Sequence, residues 1–427
     1  MSTVLSSLLT LAATPIVLAA TYLLALTLLW RRPRATAAPV SASAPRLSCC
    51  VSVCRWHKPA SPSAPRLSCC VLVPAHNEAS GIAATLASLM QADYPRDRFR
   101  VVVVADNCTD DTATIAARCG ATVLTRTDAS RRGKGWALRF AIDHLVADTA
   151  APWDVLVVVD ADSRVSPNLL TAVTARVADG ARAVQATYLP APSAPGPTSV
   201  ITDVAFTAFH CIRSAGRERL GLSTGLRGNG MAFTRDLLRQ VPHGAFSRTE
   251  DLEFGVLLGL RGVRVAYADD AVVQGEMPTR PDVVAGQRER WIGGRAEMAR
   301  RFVPRLAMAA WRTRSLLLAD LACDLLMPPL SAVVLAAIAG LGVSIVAALW
   351  FETGMVAVTL WGAACAALAV HVAVAAHVAG RTGALMRAAW AIPRYAWLKT
   401  AITARAAWRS SEANTSWIRT AREGELQ

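Results

Sequence analysis

Charge is scarce in this chain. Asp, Glu, Lys and Arg make up only 18% of its 427 residues, while 53% are apolar. That balance excludes a disordered chain and argues against an ordinary soluble enzyme. None of the ten cysteines forms a Cys-x-x-Cys pair. A structural zinc site is therefore not expected. In a cytoplasmic setting the thiols stay reduced and mostly structural. The excess of basic residues gives a net charge of +14, yet no nucleic-acid-binding module accompanies it. Anionic membrane lipid is the better partner for that charge, and nucleic acid is not expected. Residues 1–30 carry no charged side chain at all.

What is present, in compensation, is long apolar runs, and the mean hydropathy is +0.34. Residues 4–30 are long enough, at about 1.5 Å per residue, to cross a hydrocarbon core of ~30 Å. A cleaved signal peptide has a basic start and a shorter apolar core. A second block spans 316–350, interrupted by Pro328-Pro329 and carrying Asp320 and Asp324 near its start. A third spans 354–379. Basic clusters follow the first block (Arg31, Arg32, Arg34), precede the second (Arg300, Arg301, Arg305, Arg312, Arg314) and follow the third (Arg381, Arg387, Arg394, Lys399). All three fall on one side if the N-terminus is outside and the middle of the chain is cytoplasmic. Asp320 and Asp324 read as interfacial residues opening a long spanning helix, rather than as a polar pathway. Residues 298–314 mix Arg with Phe302, Val303, Leu306, Met308 and Trp311, the pattern of a helix lying on the inner membrane face. The tail, with Trp397, Trp408 and Trp417 among basic residues, repeats that style.

Residues 35–68 are rich in Ala, Ser and Pro and read as a linker. Nine residues, 43–51, recur identically at 63–71. Two copies cannot stack into a repeat fold, so this is a local duplication. Strand and helix patterns then alternate: strands at 71–73, 101–104, 121–124 and 154–159, with helices at 82–91, 112–119 and 136–147. The expected architecture is a doubly wound α/β sheet, whose ligand lies outside the carboxyl ends of the strands.

Several polar residues sit at those ends. Asp160 and Asp162, one residue apart, follow a buried valine strand. A hard divalent cation bridging a diphosphate needs only one or two protein carboxylates. Asp106 ends another strand, where it would accept hydrogen bonds from a base or ribose. Lys134, between two glycines, opens a helix, and a cation at a helix N-terminus favours phosphate. The spacing is not that of a P-loop. Thr249-Glu250-Asp251 precedes a helical stretch at 252–260. There the acids serve either chemistry or helix capping. On a further helix, Gln287 and Arg290 lie beside Trp291, a flat apolar platform.

Taken in order, Pro74-Ala75-His76-Asn77-Glu78, Asp106, Gly133-Lys134, Asp160-Ala161-Asp162, Thr249-Glu250-Asp251 and Gln287-x-x-Arg290-Trp291 resemble the membrane-bound glycosyltransferases of family 2. These are the GT-A fold group that contains cellulose, chitin, hyaluronan and poly-N-acetylglucosamine synthases. The resemblance covers residues 70–300. It implies that Pro74, Ala75, Asn77, Glu78 and Asp106 hold the uridine of a UDP-sugar, with Lys134, Asp160 and Arg290 also on the donor. Asp160 and Asp162 would hold Mg²⁺ or Mn²⁺, Asp162 the more directly. Asp251 would be the general base of an inverting transfer. Glu250, Gln287 and Trp291 would meet the acceptor. Gly228, Asn229 and Gly230 lie where the family places an acceptor-contacting loop, and a tight turn accounts for them equally well.

The acceptor would be a polysaccharide or a lipid-linked glycan at the inner face of the cell membrane. Three spans are fewer than the polymer-channel synthases have, so export of a product would call for an oligomer or an export partner. Two other readings stand beside this one. A polyprenyl-phosphate sugar transferase attacks with phosphate and needs no strong base. A non-catalytic scaffold with a nucleotide-binding domain would carry broken acidic motifs, whereas all are intact here. The expected organisation is a transmembrane helix and basic flank at 1–34, a linker at 35–68 and a cytoplasmic GT-A domain at 69–297. An interface helix at 298–315, two transmembrane helices at 316–380 and a basic cytoplasmic tail at 381–427 complete it.

Overall fold

The computed structural model describes residues 2–30, 67–191, 196–277 and 281–409. Arg31, Arg32 and Arg34, most of the linker with its duplicated segment, Cys49, Cys50, Cys54, the side chain of Trp408, and Trp417 lie outside the described residues.

An α/β unit follows the N-terminal helix α1 (Ser2–Leu29). Its first part runs β1 (Cys69–Ala75), α2 (Ile82–Met90), β2 (Phe99–Asp106), α3 (Thr112–Arg118), β3 (Thr122–Arg126), α4 (Lys134–Ala147), β4 (Val155–Val158). It continues with β5 (Ser163–Val165), α5 (Leu169–Ala178), β6 (Ala183–Pro190), α6 (Pro197–Phe206), a π-helical stretch (Thr207–Ile212) and α7 (Arg213–Arg219). Then come β7 (Met231–Thr234), α8 (Arg235–Gln240), α9 (Glu250–Leu260) and β8 (Val265–Gly275). The strands form one eight-stranded sheet in the order β3-β2-β1-β4-β7-β6-β8-β5. β1 to β4 are mutually parallel, as the alternation in the sequence implies, whereas β7 enters antiparallel beside β4. Period-two alternation builds a core on each face. Val71, Val73, Val101, Val103, Val155 and Val157 pack towards α2, α3 and α5. Cys70, Leu72, Val102, Val104, Leu156 and Val158 pack towards α4, α8 and α9. None of the seven described cysteines forms a disulfide. Burial pushes the Cys69 thiol up to about 12 and that of Cys70 up to about 11, which leaves both unreactive.

The C-terminal part is helical: α10 (Pro281–Thr313), α11 (Leu316–Leu326), α12 (Leu330–Phe351), α13 (Val356–Val378), α14 (Thr382–Ala388) and α15 (Ile392–Arg409). Three helices, α1, α12 and α13, are long and apolar enough to cross a membrane. Their contacts use small residues, among them Ala19, Ala20, Ala337, Ala364 and Ala367, which let backbones approach where no hydrophobic force drives helices together. Ala13 meets Ala357 and Trp361 near the end remote from the sheet. At the other end Trp30, Leu330 and Ala375 pack together against Val204, Ala208 and Ile212 of the α/β unit. The end of α1, the start of α12 and the end of α13 therefore lie on one side, next to the sheet.

Two boundaries differ from the sequence reading. Residue 298 is not an element boundary, because α10 runs unbroken through it. Met298, Phe302 and Leu306 are buried against Val256 of α9 and Leu318, Leu321 and Leu325 of α11. Of the apolar residues assigned to the membrane face, Met308 and Trp311 remain exposed. Asp320 and Asp324 do not open a spanning helix either. Pro328-Pro329 ends α11, the span begins at Leu330, and both aspartates are buried among arginines of the α/β unit.

Candidate active site

The carboxyl ends of the central strands deliver the loops that carry the polar residues. After β4 the chain turns through Asp160, Ala161 and Asp162. Asn229 fixes that turn from below: its Oδ1 accepts from the Asp160 amide at 3.1 Å, and its Nδ2 donates to Ser163 Oγ at 2.7 Å. Gly228 and Gly230 flank Asn229 with φ of 80° and 71°, a left-handed geometry that glycine adopts without strain. Both the turn and its side chain thus serve to shape the site. Gly228 faces the cavity, whereas Asn229 and Gly230 are buried beneath it.

Lys134, the first residue of α4, reaches across this turn. Its Nζ lies 2.5 Å from Asp160 Oδ1, donates to the Gly228 carbonyl at 2.7 Å, and stands 3.6 Å from Glu250 Oε1. Glu250 and Asp251 occupy the first turn of α9, where the helix dipole favours acids. Thr249 makes no side-chain cap hydrogen bond there. A β-carbon at Gly228 would sit 3.3 Å from Asp251 Oδ2 and 3.6 Å from Lys134 Nζ, so only glycine leaves this gap open. Acids and lysine shift one another. Burial would push Lys134 down, but Asp160 and Glu250 outweigh it and hold the ammonium above its usual range. Burial raises Glu250 to about 7 despite Lys134. It raises Asp251 as well, with Lys134 opposing.

The loop before α9 is held by two contacts. Trp136 of α4 stacks on Phe246 with ring centroids 3.8 Å apart. Glu253 accepts from the Phe246 and Ser247 amides at 3.1 and 2.9 Å, and pairs with Arg301 of α10 at 2.8 Å. α10 in turn lies directly on the site: a β-carbon at Gly294 would fall 2.5 Å from Thr249 Cγ2.

One cavity of about 1050 Å³ gathers most of these residues. Pro74, Glu78, Lys134, Asp160, Asp162, Gly228, Glu250, Asp251, Gln287, Arg290 and Trp291 all line it. Trp291 is 40% exposed, with its ring edge-on to Phe206 at 6.5 Å. Burial lowers Arg290, partly offset by Glu250. Asp106 is not brought to the cavity. It is only 1% exposed and pairs with Arg126 at 2.5 Å, since a carboxylate so deeply buried needs a cation beside it. Ala75 is buried at the end of β1. Asn77 adopts φ of 56° and accepts from the Thr109 amide at 2.7 Å, which braces two loops against each other. These two also lie outside the lining.

Tyr188, near the end of β6, was not singled out from the sequence, although it too sits at a strand end. Burial raises its hydroxyl, and Asp160, Asp162 and Asp251 add to the effect. It is thus within reach of all three acids. Asp160 and Asp162 suit a hard cation that also takes diphosphate oxygens. Among the described residues no cluster of three or more His, Cys, Asp or Glu could hold a metal without such a ligand.

Comparison with known proteins identifies the family and the fold. The family described as "Glycosyltransferase like family 2" matches residues 65–294, more than half of the chain. A probable glycosyltransferase, YdaM of Bacillus subtilis, is 24% identical over 54% of this chain and 56% of its own length. The β-monoglucosyldiacylglycerol synthase of Synechocystis is 29% identical over 52% of this chain and 47% of its own. The chain thus spans about half the length of these curated relatives. Among solved structures, the mannosyltransferase PcManGT of Pyrobaculum calidifontis, in complex with GDP-mannose and Mn²⁺, superposes with a TM-score of 0.53. That match has 20% identity and covers 88% of this chain and 98% of that one, a likeness of fold. The mixed sheet is a GT-A architecture, flanked by three helices long and apolar enough to cross a membrane.

Proposed function

The chain belongs to glycosyltransferase family 2 and is a glycosyltransferase, and from that premise we propose an inverting transfer of sugar from a UDP-sugar to a hydroxyl acceptor at the inner membrane face. The observation that carries this reading is a single cavity lined by Asp160, Asp162, Lys134, Asp251 and Arg290. Asp251 takes the proton from the acceptor hydroxyl as that oxygen attacks the anomeric carbon. Its raised affinity for a proton, caused by burial, makes it a stronger base than an exposed carboxylate. Direct displacement gives a β-linkage from an α-linked donor. The departing diphosphate gains charge, which the Lys134 ammonium and Arg290 guanidinium offset. Asp162 and Asp160 would hold Mg²⁺ or Mn²⁺, which when bound would supply Lewis-acid neutralisation of the diphosphate charge. Trp291 and Gln287 on α10 contact the acceptor beside Glu250.

The basic residues of α10 and of residues 381–399, which lie at the α/β-unit end of the three long apolar helices, support a cytoplasmic α/β unit. α14 and α15 belong to the membrane interface, with Met386, Trp390, Trp397 and Leu398 exposed. The product is a membrane-associated glycan or glycolipid made for polysaccharide biosynthesis. Nucleotide release should be measured in purified membranes across UDP-glucose, UDP-N-acetylglucosamine, UDP-galactose and GDP-mannose, with and without Mn²⁺. Metal-dependent release from a UDP-sugar is expected. Release from GDP-mannose alone would overturn the donor assignment.

A further inference from the structure

Between the α/β unit and the spanning helices, four arginines meet two aspartates. Arg217 is fully buried, donates from Nη1 to Asp324 Oδ1 at 2.8 Å and pairs with Asp320. Arg213 pairs with Asp324 as well, and Arg295 Nη2 lies 3.6 Å from Asp324 Oδ2. Arg227 is different. Among the described residues no carboxylate pairs with it. It donates to the Thr224 carbonyl at 2.9 Å, and its guanidinium lies 4.2 Å over the Phe209 ring. The Nε atoms of Arg213, Arg217 and Arg227 are buried without an acceptor. The cluster therefore holds two more guanidinium than carboxylate groups, and uncompensated buried charge is costly. Burial, opposed by Asp324 and reinforced by Arg213 and Arg217, pushes Arg227 down to about 9.

Arg213, Arg227 and Arg295 line the same cavity as Asp251. Asp251 is within electrostatic reach of both Lys134 and Arg227. The same lining includes Leu23 of α1, Met327, Pro328 and Pro329 between α11 and α12, Leu330 at the start of α12, and His371 of α13. A basic pocket with an apolar extension between membrane helices is the shape of a lipid-phosphate site.

We infer that this arm of the cavity binds an anionic lipid acceptor, with its phosphate diester at Arg213, Arg227 and Arg295, its hydrocarbon beside α1 and α12, and a headgroup hydroxyl offered to Asp251. Only the last clause rests on the glycosyl-transfer reading. The lipid site stands on the charge cluster and the apolar lining.

The test reads binding without a donor or turnover. The full-length chain in detergent is incubated with dioleoyl phosphatidylglycerol or dioleoyl phosphatidylcholine, and retained lipid is counted by native mass spectrometry. One phosphatidylglycerol per chain should survive, at least five-fold more often than phosphatidylcholine. Arg227→Gln should lower that retention five-fold or more, Arg227→Lys should restore most of it, and Arg305→Gln, on the exposed face of α10, should match the wild type. Inorganic phosphate at 10 mM should not displace the lipid; displacement would mark a free-phosphate site and overturn the lipid assignment. Equal retention of the two lipids by the wild type would overturn it too, whatever the variants do. UDP binding by Arg227→Gln, followed by thermal shift, separates this outcome from failure of the donor site.

Discussion

At the scale of single residues, the site turns on how burial and one lysine divide charge among four acids. Asp251→Asn should keep UDP binding within about two-fold and lower turnover by about 10²–10⁴-fold, because the base is lost while the donor contacts stay. Calorimetry and nucleotide-release assays check the two halves. The acid limb of the pH profile follows from the same burial. In its proposed role as base Asp251 must be ionised, and its affinity for a proton is raised, so turnover should fall at a pH above the ordinary aspartate value of 3.8. Glu250 makes a separate statement about stability. Its folded form titrates at about 7 against an ordinary 4.5, so the native state binds its proton more tightly than the unfolded chain does. Below pH 4.5 the acid is protonated in both states, and as pH rises through 7 the native state loses stability by ionising a buried group. Glu250→Gln should therefore raise Tm at pH 8 and change it little at pH 4.5, as differential scanning fluorimetry would read. Asp160, Asp162, Lys134 and Asp251 were legible because strand ends and helix starts are local features of sequence. Tyr188 was not, because its proximity to the three acids comes from β6 crossing the sheet. Asp106 was placed at the correct strand end, yet its Arg126 partner comes from the neighbouring strand, a pairing that no spacing records.

At the scale of elements, close backbone approaches decide how the loops are held. Gly135 in α4 touches the loop before α9 so closely that a β-carbon would lie 2.3 Å from the Ala245 carbonyl oxygen. Gly135→Ala should cost about 1–3 kcal/mol of stability and reduce turnover more than UDP affinity, since that loop leads into Glu250 and Asp251. Thermal unfolding and parallel binding assays would show both. α11 fixes the α/β unit to the membrane helices by charge. Removing the carboxylate in Asp324→Ala leaves Arg213 and Arg217 buried without it and should cost about 3–5 kcal/mol. Hydrophobic periodicity marked β1 to β4 and the three long apolar helices, because those patterns are continuous in the chain, whereas it did not single out β5 to β8. It merged α11 into the second span because both are apolar, although Pro328-Pro329 was visible. The burial of Asp320 and Asp324 was invisible, since Arg213 and Arg217, which pair with them, lie more than a hundred residues away.

At the scale of the whole molecule, three helices long and apolar enough to cross a membrane stand beside the α/β unit. The end of α1, the start of α12 and the end of α13 sit beside the α/β unit, while the turn between α12 and α13 lies at the opposite end. In a background without native cysteines, Glu352→Cys should react with a membrane-impermeant maleimide on intact cells, and Arg305→Cys only after permeabilisation. The reverse pattern would put the cavity on the outer face. The fold and the family were readable from ordered motifs spread over more than half of the chain. The reach of the cavity from the acids to Leu23 and Leu330 was not, because it depends on how helices pack across the bilayer. The most direct test of the central claim compares UDP affinity and sugar transfer in wild type and Asp251→Asn side by side. Unchanged affinity with transfer reduced at least a hundredfold is expected. Transfer at the wild-type rate in that variant would contradict the account.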